Sequence, residues 1–244
     1  GIMNKDILLL GANAPDMELL RTRLTRIGYR VVPAKTPEQA HTFLRVAGTR
    51  IGAVIVPSEM PVMNLRAALD FMRRLSPAAP LTFLCAGRDP GPEGRQRLRQ
   101  AGVQIPIFDP LDLHTLRFQV NRALATGRPV HRHRTTLRAP ADWPVLVRSG
   151  VRQKEGRIYS VSASGAYLSI AQPWMAQPSD EVRVSIPDGD SVTASGRVVM
   201  TNVPGNVMKR NLPFGMGVHF DQVSEHSSVA LLLYAEERSR ALCL

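Results

Sequence analysis

The sequence predicts two folded units in tandem. The first is a doubly wound α/β unit with a five-stranded parallel sheet. The second is a six-stranded antiparallel β-barrel followed by a C-terminal helix. Three observations carry the prediction. Short apolar runs alternate with helical-period segments up to residue 126. The stretch ATGRPVHRHR (125–134) then has Gly, Pro and charge but no apolar period, and reads as an interdomain connection. Beyond it, six short runs of period 2 lie between turn signals. With 244 residues, 44% of them hydrophobic, the chain is long enough for two cores. The expected boundaries are 3–126 for the first unit, 127–137 for the linker and 138–244 for the second unit. Gly1-Ile2 ahead of Met3 reads as an added leader.

In the first unit, DILLLGAN (6–13) is an apolar run suited to a parallel strand buried on both faces. DMELLRTRLTRIG (16–28) places Met17, Leu20, Leu24 and Ile27 at helical spacing, with Gly28 as a C-cap. YRVVPA is the second strand. TPEQAHTFLRVAG is the second helix, with Thr36 as cap, Pro37 at the first position and Gly48 at the end. Strand 51–57, a helix near 64–75, strand 80–87, helix 92–102, strand VQIPIFDP and helix LDLHTLRFQVNRALAT complete five β–α pairs.

In the second unit the predicted strands are 143–149, 155–164, 165–170, 180–188, 191–200 and 214–222. Asp188-Gly189 and Pro204-Gly205-Asn206 supply turns. EHSSVALLLYAEERSR (225–240) is helical, with Val229, Leu232 and Leu233 expected to face a core. Leu231 to Leu233 with Tyr234 are likewise read as core, and Trp143-Pro144 as packing the barrel's opening.

The formal charge is +11, spread over both halves, with 17 basic and 10 acidic residues in 1–126 and 14 and 10 in 127–244. Eight of the latter 14 basic residues fall between Arg128 and Arg157, so the local density points to an anionic ligand more than the total does. No apolar run reaches membrane-span length and no segment reads as a signal peptide. Cys85 and Cys243 form no metal or redox spacing, which fits a reducing cytoplasm. His131-x-His133 lacks further ligands and reads as linker, so no metal is expected. No catalytic triad, P-loop or dinucleotide fingerprint is present, and the chain is not expected to be an enzyme. DNA binding is disfavoured, because the second half has no helix-turn-helix period and only a modest excess of charge.

The β–α order of residues 4–126 resembles the receiver domain of two-component response regulators. AVIVPSEMPVMN is similar to a receiver's third strand and the loop after it, with Met60-Pro61 and Met63. Phosphoryl transfer there needs a carboxylate nucleophile, an acidic pair for Mg²⁺, a hydroxyl and a lysine. The resemblance aligns these with Pro57, with Gly11 and Ala12, with Cys85 and with Asp109, and the aromatic switch position with Pro106. It implies a receiver-like domain with no phosphoacceptor, used for protein interaction. It also implies a cis bond at Asp109-Pro110. Receivers dimerise or dock partners through their fourth helix, fifth strand and fifth helix. Here that face would carry Arg95, Arg97, Arg99, Arg117 and Arg122, read either as a basic docking surface or as solvated helix faces, with solvated faces preferred. A homodimer and an unidentified protein partner follow from the same resemblance.

Arg134-Thr-Thr-Leu-Arg138 has R-x-x-x-R spacing, SVSASGAYL resembles D/N-x-S-x-x-G at Ser160, Ser162 and Gly165, and FGMGVHF (214–220) resembles a G-x-G-V-x-F strand. In this order on a six-strand pattern, residues 130–240 resemble a PilZ domain. The resemblance implies cyclic di-GMP as ligand. Arg134 and Arg138 would hold guanine and phosphate, and Ser160, Ser162 and Gly165 would form the wall on the barrel side. Arg132 and His133 would be additional contacts. An Arg fork bonds the O6/N7 edge of guanine in two places and pairs with phosphate. Gly165 would serve a close backbone approach or a positive φ. Arg148, Arg152, Lys154 and Arg157 read as solvated strand edges rather than as an extension of the anion site. Ser160 departs from the family's Asp or Asn and offers less hydrogen-bonding capacity to a guanine edge. The expected function is therefore a cyclic di-GMP-binding regulator. The alternative is a ligand-independent interaction scaffold in which both ancestral chemistries are lost.

Overall fold

The computed structural model describes residues 5–12, 14–76, 80–125, 137–173, 180–186, 192–207, 209 and 211–244. The chain divides into two compact units, residues 1–132 with 242–244 and residues 133–241.

In the first unit five parallel strands, β1 (Asp6–Leu10), β2 (Val31–Ala34), β3 (Ile51–Pro57), β4 (Thr82–Gly87) and β5 (Val103–Phe108), lie in the order β2-β1-β3-β4-β5. Helices α1 (Pro15–Arg26), α2 (Pro37–Ala47), α3 (Leu65–Leu75), α4 (Gly91–Gln100) and α5 (Leu113–Ala125) alternate with them. Strand alternation sends Ile7 and Leu9 to one face and Leu8 and Leu10 to the other. The first face packs against Met17, Leu20 and Leu24 of α1 and Leu116 and Val120 of α5. The second packs against Leu44, Leu69, Met72 and Leu98 of α2, α3 and α4. Burial on both faces is why these strands read as continuous apolar runs.

The expected N-cap of α2 is present, and α3 and α5 have caps of the same kind. Thr36 Oγ1 accepts the Gln39 N–H, and Asn64 Oδ1 accepts that of Ala67. Asp112 accepts the backbone N–H of Thr115 at 2.8 Å and its hydroxyl at 2.9 Å, capping α5. Burial alone would raise the Asp112 carboxyl, but the two bonds from Thr115, together with its own backbone N–H and the His114 charge, outweigh it and hold the carboxyl below its ordinary value. Asp112→Ala is expected to lose about 1 kcal/mol in urea unfolding of this unit at neutral pH. Because the folded carboxyl is more acidic than the unfolded one, the difference from wild type should shrink as pH falls through its folded value.

The second unit is a closed barrel. Strands β7 (Pro144–Ser149), β8 (Arg152–Ser162), β9 (Gly165–Ser169), β10 (Glu181–Ile186), β11 (Val192–Asn202) and β12 (Gly215–Val223) pair antiparallel in the order β8-β7-β10-β11-β12-β9, and β9 returns to β8. A two-residue strand absent from the sequence reading, β6 (Ala139–Pro140), adds to the β8 edge. Val145, Val147, Ile158, Val161, Val184, Val198 and Phe220 fill the interior.

Helix α6 (Glu225–Ala241) starts at Ser224, whose Oγ accepts the Ser227 N–H. It turns Leu231 into the barrel core, and Trp143 and Tyr234 pack against that core with ring centroids 4.4 Å apart. The expectation that Val229, Leu232 and Leu233 face the core is corrected: all three are exposed, and Ser227, Leu231 and Ala235 are buried instead. The run Leu231–Leu233 covers almost a full turn, so periodicity alone does not set its phase.

Candidate ligand-binding site

The hairpin β8–β9 turns through Ala163 and Ser164. Ser162, wholly buried, shapes that turn: its Oγ accepts the Ser164 N–H at 3.2 Å and lies 3.4 Å from the Gly165 carbonyl oxygen. The turn is pinned to β12, since the Ser164 carbonyl accepts the Phe220 N–H at 2.8 Å and lies 3.0 Å from His219 Nδ1. Gly165 pairs with His219 across this contact. Its φ is not positive, and a Cβ there would meet the Val218 carbonyl oxygen at 2.5 Å. Of the two reasons for glycine, the close backbone approach is the one that applies.

Strand β6 carries the approach to this turn. Ala139 pairs with Val161 and Pro140 with Ser160, and Arg138 immediately precedes this paired segment. Arg138 is exposed, whereas Ser160 is buried between Pro140 on one side and Tyr167 on the other. Besides its ladder with β8, β6 is held by the Tyr234 hydroxyl, which donates to the Pro140 carbonyl at 2.7 Å, and the next residue, Ala141, donates its N–H to the Tyr159 carbonyl at 3.0 Å. Arg138, Ser160, Ser162 and Gly165 are thus assembled around one hairpin end. Arg132, His133 and Arg134 lie outside the described residues.

The sequence reading places Tyr234 in the core, where it packs, but does not foresee its bond to β6, and it assigns no role to His219. Tyr234 gave no signal beyond being aromatic on a helix. His219 sits between Val218 and Phe220, and its alternation with those inward residues marked it as facing outward. Among the basic residues read as strand edges, Arg157 Nε and Nη2 bond the carboxylate and carbonyl of Asp142, and Arg148 donates to Gln153 at 2.9 Å.

At the C-terminal edge of the parallel sheet, Gly11 follows β1 and Pro57 ends β3, with the Pro57 Cγ 3.2 Å from where a Gly11 Cβ would lie. Cys85 is wholly buried in β4, and burial pushes its thiol up to about 12. Ser58 Oγ donates to the Arg88 carbonyl at 2.6 Å, and Arg88 pairs with Glu59 at 3.1 Å. The Asp109-Pro110 bond is cis. No cluster of His, Cys, Asp or Glu with metal-binding potential occurs among the described residues.

The arginines of the expected docking face are largely engaged within the unit. Arg95 pairs with Asp89 at 2.7 Å and lies over Phe108, Arg97 donates to the Met60 and Val62 carbonyls, and Arg122 donates to Gln119. Arg117 donates to the Ile27 carbonyl at 3.5 Å, and Arg99 is exposed.

Residues 132–237 match the model of the family described as PilZ domain. Solved structures similar to the chain include the Bacillus subtilis inhibitor of motility MotI/DgrA, at 18% identity with TM-score 0.39. That match covers 45% of this chain, which spans about half (52%) of that protein. Two others are the chemotaxis protein CheY4 of Vibrio cholerae and a CheY-like response regulator receiver domain of Methanospirillum hungatei. The first is 20% identical with TM-score 0.40, covering 50% of this chain and 100% of that one. The second is 17% identical with TM-score 0.42, covering 50% and 94%. A search of curated protein sequences finds no match. No helix among the described residues is long and apolar enough to cross a membrane. The second unit thus matches the PilZ domain model over residues 132–237, and in sequence it follows a doubly wound α/β unit with a five-stranded parallel sheet.

Proposed function

We propose that this chain is a cyclic di-GMP-binding regulatory protein whose receiver-like domain accepts no phosphate and serves protein interaction. One observation supports the ligand site above all: β6, which Arg138 immediately precedes, pairs with Ser160 and Val161 of β8 beside the β8–β9 turn. In this reading Arg134 and Arg138 grip the guanine O6/N7 edges and the phosphates. They are four positions apart, so Arg134 can lie at most about 14 Å along the chain from Arg138. Ser160, Ser162 and Gly165 form the wall, with Arg132 and His133 as further contacts. The Ser162 hydroxyl contributes chiefly by holding the turn. Closure of segment 126–138 on the ligand is the signalling step, because only a ligand that prefers one state shifts an equilibrium. In the receiver-like domain, the Pro57 ring against Gly11 and the buried, protonated Cys85 support the absence of a phosphoacceptor and of a cation site.

The regulator and the ligand-independent scaffold differ at Ser160. An Asn there reaches farther than a serine hydroxyl and offers guanine an acceptor and a donor on separate atoms, without burying a charge. Ser160→Asn is expected to tighten cyclic di-GMP binding roughly tenfold, as one added hydrogen bond of about 1–2 kcal/mol requires. Binding by neither wild type nor Ser160→Asn, measured by equilibrium dialysis, favours the scaffold.

A further inference from the structure

Helix α6 is amphipathic twice over. Its buried face is Ser227, Leu231 and Ala235. On the opposite side Val229, Leu232 and Leu233 are 50%, 40% and 58% exposed and form a continuous stripe at i, i+3, i+4. The same face runs on through Glu225, Glu236 and Arg240, at spacings of four and seven from the stripe. Three exposed aliphatic residues on one helix face form a contiguous apolar stripe rather than scattered surface apolarity.

The charge pattern identifies the occupant. Glu225 and Arg240 stand at opposite ends of α6, equidistant from the point midway between Leu232 and Leu233. Both are exposed. A second α6 laid antiparallel about a two-fold axis at that midpoint sets Leu232 against Leu233, Val229 against the stem of Glu236, and Glu225 against Arg240 at both ends. A parallel pair would oppose Glu225 to Glu225 and Arg240 to Arg240. Antiparallel pairing is the isologous, self-complementary solution that closes at two copies.

We propose that the outward face of α6 is a self-association surface that takes a second copy of this chain, helix against helix and antiparallel. At 17 residues the helix is about 25 Å long, so its face is smaller than a standard interface of about 800 Å² per partner. The dimer is therefore weak and concentration-dependent. The proposal involves none of the ligand-site residues and stands whether or not nucleotide binds.

Sedimentation equilibrium of the full chain without nucleotide, from low micromolar to several hundred micromolar, tests it. The average mass is expected to rise from 26.8 kDa towards twice that value. Leu232→Glu with Leu233→Glu should remain monomeric at every concentration with an unchanged circular dichroism spectrum. Glu225→Arg should weaken association severalfold, and adding Arg240→Glu should restore it. A chain that stays monomeric throughout overturns the proposal. So does a dimer indifferent to the double leucine variant, which uses another face. Failure of the charge reversal to restore association overturns the antiparallel arrangement.

Discussion

Gly215→Ala is expected to destabilise the barrel by about 2–5 kcal/mol, a large share of its stability. Gly215 opens β12 with φ +152°, and a Cβ there would lie 1.7 Å from the Leu168 carbonyl oxygen. That oxygen belongs to the backbone of β9, which is locked between β8 and β12, so it cannot move aside as a side-chain tip would. Strain and overlap therefore add, against a total stability of about 5–15 kcal/mol for a domain. Gly205→Ala is the matched control. It also has a positive φ of +86°, but nothing lies within 4 Å of its Cβ position, so its cost should stay near 1 kcal/mol. Both tryptophans, Trp143 and Trp174, belong to the second unit, so fluorescence-detected urea unfolding reports on the barrel.

The second large effect is on binding. Arg138→Ala and Arg134→Ala should each weaken cyclic di-GMP binding by about one to two decades, the equivalent of a lost bidentate guanine contact of about 1–3 kcal/mol. Arg138 is exposed, so its loss should leave the unfolding midpoint nearly unchanged, which separates a binding defect from a folding one. Arg138→Lys should recover little, because an ammonium lacks the planar fork. Arg148→Ala, whose arginine bonds Gln153 at the far end of β8, should bind as wild type does. Equal losses at Arg148 and Arg138 would mean that general positive charge, rather than a built site, attracts the nucleotide.

Much of this was legible because the responsible physics is local. The five β–α pairs announce themselves through strands apolar on both faces and through caps such as Thr36 with Pro37 and Gly48. The barrel announces itself through period-2 runs and glycine turns. What escaped depends on neighbours distant in sequence. Strand β6 has two residues, too few to carry a period, and exists because β8 offers an open edge. The phase of α6 is set by which leucine the barrel end accepts, and Leu231 wins over its two neighbours. Gly165 was legible as a close backbone approach, whereas the crowding at Gly215 shows only when β12 and β9 are brought against each other. The Ser162 hydroxyl reads as a free ligand group until the turn claims it. The basic surface expected on α4 and α5 shrinks because Arg95 and Arg97 find an aspartate and backbone carbonyls within the unit.

The most direct test of the central claim is calorimetric titration of the full chain with cyclic di-GMP, alongside the Arg134→Ala/Arg138→Ala double variant. Saturable heat with micromolar or tighter affinity in wild type, absent from the double variant, is the predicted result. Absence of binding by wild type at millimolar ligand, or identical binding by the double variant, would contradict it.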